Sequence, residues 1–161
     1  MQHSLPDQLK YFYITKRLKS SSLNKYLDGI VRCIPIVTGE IHICGFKISS
    51  TQLNDILKLA YNCPRVSIFS CIIDTNAPFD FNILQTYRIK FLGFGSTGSN
   101  WGSTNKKQLS DILRAISKTS LKKSLTDINI FKCDLEVTDV QTAVNELGMK
   151  NVAVSNRNYS F

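Results

Sequence analysis

Histidine is scarce in this chain, limited to His3 and His42, and none of its five cysteines is spaced C-x-x-C. A zinc site needs a tighter set of such ligands, so no metal and no cofactor are expected. No run approaches the ~18 consecutive apolar residues of a membrane span. The opening Met1-Gln-His-Ser-Leu-Pro-Asp7 lacks a basic stretch leading into an apolar core, so a secretory signal is not expected. The expected location is cytoplasmic, where unpaired cysteines persist as buried thiols. Catalytic constellations are missing as well. His42 has no nearby Cys or Ser in a recognisable arrangement, and Asp111, Asp134, Glu136 and Asp139 show no pairing. No enzymatic activity is expected.

What is present is positive charge and repetition. At 161 residues the chain suits one domain with a proper core. A net charge of +8 favours anionic partners without selecting one. Lys106, Lys107, Arg114, Lys118, Lys122 and Lys123 form a loose group. It reads first as solvated helix faces, and second as a basic surface for nucleic acid.

The repetition is clearest in Leu125-Thr-Asp-Ile128-Asn-Ile130-Phe-Lys-Cys133-Asp-Leu135, which reads L-x-x-I-x-I-x-x-C-x-L. Cys63-Pro-Arg-Val66-Ser-Ile68-Phe-Ser-Cys71-Ile-Ile73 matches it position for position. Looser copies are Ile41-His-Ile43-Cys-Gly-Phe46-Lys-Ile48, Ile89-Lys-Phe91-Leu-Gly-Phe94-Gly-Ser96 and a last Met149-Lys-Asn-Val152-Ala-Val154. Each predicts a short strand whose alternate residues enter a core. Between them run helical stripes spaced i, i+3, i+4, i+7: Leu23 to Ile30, Leu53 to Ala60, Leu109 to Ile116 and Val140 to Leu147. Thr51-Gln-Leu-Asn-Asp-Ile-Leu-Lys and Lys107-Gln-Leu-Ser-Asp-Ile-Leu-Arg agree almost letter for letter. Ser50, Asn105 and Thr138 stand where helix N-caps are expected.

This alternation resembles the leucine-rich repeat family, nearest its ribonuclease-inhibitor-like subtype. The resemblance implies an α/β solenoid with a curved parallel sheet on the concave side and helices on the convex side. Residues 1–22 would be an N-terminal cap or extension, and 23–161 the repeat domain, with an insertion at about 95–106. It also implies a non-enzymatic protein-interaction module or scaffold subunit in a larger assembly. With Ile41/Ile43, Val66/Ile68, Ile89/Phe91 and Ile128/Ile130 inward, the candidate contact residues are His42, Ser67, Lys90 and Asn129 on the concave face. Beside them Phe69, Leu92 and Phe131 would form an apolar stripe next to Lys132. Trp101, in the glycine-rich insertion, is a further candidate anchor.

Two other features suggest rival readings. Gly93-Phe-Gly95-Ser-Thr-Gly98 is a G-x-G-x-x-G after a strand, as in nucleotide-binding enzymes. A dinucleotide site needs a helix opening on those glycines, and the next helix is expected only near Lys106. Ser4-Leu-Pro-Asp-Gln-Leu9 faintly resembles the opening of an F-box, which would imply an adaptor of a ubiquitin ligase.

Overall fold

The computed structural model describes residues 9–15, 29–74, 79, 86–95 and 105–158. Most of the expected Leu23–Ile30 helix, the F-box-like opening and the insertion bearing Gly98 and Trp101 lie outside them. Along the chain come β1 (Leu9–Thr15), β2 (Val37–Cys44), β3 (Lys47–Ser49) and α1 (Ser50–Leu59). Then follow β4 (Arg65–Phe69), β5 (Ile72–Asp74), β6 (Phe91–Gly95), α2 (Lys106–Ser117) and α3 (Leu121–Ser124). The last elements are β7 (Asp127–Asn129), α4 (Val137–Glu146) and β8 (Ala153–Ser155).

Six strands make one open sheet in the order β1-β2-β4-β6-β7-β8, and every pairing is parallel. Successive strands of this sheet are therefore also neighbours in space. Parallel neighbours need crossovers, and the helices supply three of them. β3 and β5 form a second, two-stranded parallel ladder. The architecture is α/β with a parallel sheet, and the strands do not close into a barrel.

The apolar rails of the sheet explain the pairing. Phe12, Ile41, Val66, Leu92, Ile128 and Val154 stand opposite one another across it, and Ile14, Ile43, Ile68 and Phe94 form the next rail. Their side chains join one core with Leu53, Ile56 and Leu57 of α1, Leu109, Ile112, Leu113 and Ile116 of α2, and Val140 and Val144 of α4. Burying each such side chain contributes roughly 1.5–3 kcal/mol. The core is one-sided: Phe69 and Phe91 are buried but lie outside this cluster.

Two expected alignments are corrected by this register. β6 carries its rail on Leu92 and Phe94, a slide of three residues; Ile89 is in the core as expected but precedes the strand, and Phe91 lies outside the core. Val154, not Val152, stands opposite Ile128. The rail positions 41, 66, 92, 128 and 154 are then 25, 26, 36 and 26 residues apart. The chain is more regular than its pattern suggests.

The turn after β2, β4 and β7 is repeated too. Gly45, Ser70 and Lys132 all have left-handed backbones, with φ of 83°, 51° and 49°. They immediately precede Phe46, Cys71 and Cys133, the positions that the repeat pattern marks. The Cys71 thiol donates to Phe69 O at 3.3 Å and to Ile43 O of the neighbouring strand at 3.7 Å. That bond pins the turn to the previous one. Burial pushes the Cys71 thiol up to about 12, and those of Cys63 and Cys133 up to about 11, so all three remain protonated.

The helices start one or two residues ahead of two expected caps. Ser49 and Asn105 each form a full capping box, with Gln52 and Gln108 respectively. Asn105 was expected. Ser50 instead lies inside α1, donating to Asp74 O, and Glu136 rather than Thr138 holds the N-cap position of α4, without a side-chain bond. Among the described residues no helix is long and apolar enough to cross a membrane.

Candidate functional site

The outer face of the sheet, away from the helices, carries the residues that alternate with the rails. Tyr13, His42, Ser67, Gly93, Asn129 and Ser155 form one row across it. Three expected contact residues, His42, Ser67 and Asn129, are thus brought together as the pattern implied. Their exposure is not as implied, for all three are buried. Ser67 lies under the neighbouring strand, so close that a Cβ on Gly93 would sit 3.0 Å from its Oγ. Asn129 is fully occupied: its amide donates to Arg157 O at 3.1 Å and accepts from Arg157 N at 3.0 Å. It ties the segment after β8 to the sheet.

The expected apolar stripe is also corrected. Leu92 faces the core at 1% exposure, because the slide of β6 puts Gly95 in the outer position beside Phe69. Phe69 is only 2% exposed, its ring leaning into the space that Gly93 leaves empty. Phe131 is half-buried, with Lys132 Nζ 5.2 Å from its ring centroid. Lys132 is exposed in its left-handed turn. Lys90 is exposed but precedes β6, and its carbonyl accepts from the Thr126 and Asp127 amides, so Gly93 takes its expected place in the row. Trp101 lies outside the described residues.

Among the described residues, the exposed aromatics of this face are two that pattern reading left unassigned. Tyr11 and Tyr13 on β1 are 53% and 54% exposed. They stack on each other at 6.3 Å, and Tyr13 stacks on His42 at 4.7 Å with an interplanar angle of 11°. His42 in turn meets Phe69 at 6.2 Å. β1 can approach β2 because Gly39 has no side chain; a Cβ there would overlap the carbonyl oxygen of Lys10. The pairing skips a residue at that point, between Leu9 and Tyr11. Alternation within Tyr11-Phe-Tyr13 was the available signal.

Charge is organised around Glu40, beneath the tyrosines. Its Oε1 lies 2.7 Å from His42 Nε2 and 3.2 Å from Arg65 Nε, and Tyr13 OH donates to Oε2 at 3.5 Å. Arg65 also covers the Phe91 ring at 4.2 Å. Burial pushes the Glu40 carboxyl up, but the bond and charge of His42, with those of Arg65, outweigh it and hold it below the ordinary range. A carboxyl more acidic in the fold than in the unfolded chain adds stability above the unfolded value. That contribution fades as pH falls through the depressed one. Thermal melts should therefore drop more steeply below about pH 4.5 for the wild type than for Glu40→Gln. Parallel acid limbs would show that the carboxylate is not engaged.

No protein-family model, curated protein or solved structure matches the chain. The G-x-G pair is used in packing: Gly93 lies beneath the Phe69 and Phe91 rings, and Gly95 against the Phe131 backbone. Both glycines are strand residues, and α2 begins only at Lys106. Among the described residues no group of three or more His, Cys, Asp or Glu side chains could hold a metal ion.

Proposed function

We propose that this chain is a leucine-rich-repeat module that binds a protein partner through the outer, concave face of its sheet, with Tyr11 and Tyr13 as anchors. The repeat reading is supported by strand order that follows chain order, by rail intervals of 25, 26, 36 and 26, and by the repeated left-handed turn. The binding reading rests on one observation. Two tyrosines, each more than half exposed, stack on each other, and Tyr13 stacks in turn on the buried His42, beside Arg65. Tyrosine and arginine are the residue types in which binding energy concentrates, and preorganised rings lose little freedom on association.

The test is capture of partners from native extract by wild type and by Tyr11→Ser/Tyr13→Ser, followed by titration with the purified partner. Losing both rings should weaken binding at least tenfold, roughly 1.4 kcal/mol or more. Circular dichroism should be unchanged. Equal affinity would remove the tyrosines from the interface.

A second reading, binding of nucleic acid, is favoured by the exposure of Lys106, Lys107, Arg114, Lys118, Lys122 and Lys123 on α2 and α3. It requires affinity for an oligonucleotide that falls steeply with salt.

A further inference from the structure

A cavity of about 320 Å³ opens on the helical side, between α2 and α4. Leu109 and Leu113 line it from α2, Leu135 from the turn ahead of α4, and Ala143 from α4 itself. The small side chains of Ala143 and Ser110 leave the space open. Its rim is acidic: Asp134, Glu136 and Asp139 all border it. These carboxylates are exposed, and none makes an ion pair or side-chain hydrogen bond among the described residues. Glu136 holds the N-cap position of α4, yet its side chain makes no capping bond. Among the described residues Lys106 is the one cation that lines the cavity.

In a chain of net charge +8, three uncommitted carboxylates within six residues, set around an apolar floor, are a local reversal of sign. We propose that this groove docks a basic amphipathic segment of a partner protein, one that inserts large aliphatic or aromatic side chains and lays lysine or arginine along the rim. The volume is in the range of sites that enclose such groups, and grooves between helices accept amphipathic helices in this manner. The carboxylates would repel phosphate-bearing or acidic ligands, so the charge selects the partner's sign as the floor selects its apolar face. The site is distinct from the tyrosine face, being built on helices that pack against the opposite side of the sheet. A partner held there would leave Tyr11 and Tyr13 free for another.

The probe is a labelled amphipathic helical peptide of leucine and lysine, with a leucine and glutamate peptide of equal length as its counterpart. Binding is followed by fluorescence anisotropy and mapped by amide chemical shifts on the full chain. The leucine–lysine peptide should bind and shift the amides of Leu109, Leu135 and Ala143. Asp139→Lys and Ala143→Trp, which reverses one rim charge and fills the groove respectively, should each weaken it about tenfold. Asp55→Lys, an equal charge change on the exposed face of α1, should leave it within about twofold. Equal losses for Asp55→Lys and Asp139→Lys, equal binding of the glutamate peptide, or shifts centred on Tyr11 and Tyr13 would each overturn the proposal. Thermal melts of the variants check that they remain folded.

Discussion

Phe94→Ala should cost about 3–5 kcal/mol in urea denaturation, the range for emptying a fully packed aromatic site. Phe94 is 1% exposed and stands on the inner rail beside Ile68, in contact with the helical core. Phe131→Ala, at a half-buried position in the turn after β7, is the internal comparison and should cost far less. The contrast bears directly on register. If Phe94 lay off this rail and outside the core, the two losses would be similar. A Phe94→Ala loss no greater than that of Phe131→Ala would therefore displace β6 from the alignment with Val66 and Ile68.

Gly95→Val should be as damaging, by a different route. The backbone of Gly95 has φ of +151°, a conformation that L side chains rarely adopt, and a Cβ there would overlap the carbonyl oxygen of Phe131. The same residue accepts the Ser70 amide at 2.6 Å, so β4, β6 and the turn after β7 all converge on it. Backbone strain of about 1–3 kcal/mol adds to the displacement of that turn. A total loss above about 3 kcal/mol is expected. Hydrogen exchange should locate it, with faster exchange at Ser70 and along β7. A variant as stable as the wild type would show that the approach of the two backbones is dispensable.

These two residues also show where the pattern was legible and where it was not. β4 and β7 could be read because two apolar rails and a thiol recur at fixed spacing, and the structure places all of them as the spacing demands. The helical stripes of α1, α2 and α4 were equally plain, since a period of 3.6 leaves little choice of face. β6 was misaligned because Phe91-Leu-Gly-Phe-Gly95 is buried throughout, so alternation carries no information about which side faces the core. Its two glycines also remove the side chains that would have marked the outer face. Exposure of Phe69 failed for a related reason, as no pattern within one strand reveals that the next strand offers an empty position for a ring. Tyr11 and Tyr13 went unassigned because β1 matches no repeat copy and is recognisable only from its pairing with β2. The acidic groove comes from two segments about 30 residues apart, and neither looks unusual alone.

The order of strands carries one more consequence. Each strand of the main sheet pairs only with its immediate predecessor and successor, so under the proposed repeat reading the molecule would behave as a nearly one-dimensional chain of coupled units. Cohesion in such a system is a sum over adjacent interfaces, and a weak link divides it without dissolving either side. The β6–β7 contact, beside which Gly95 meets Phe131, would become such a link in Gly95→Val, leaving β1, β2 and β4 zipped together and loosening β7, α4 and β8. The tyrosine face lies wholly within the first block and the acidic groove depends on the second. One backbone approach would then govern whether the molecule presents both of the proposed surfaces or only one.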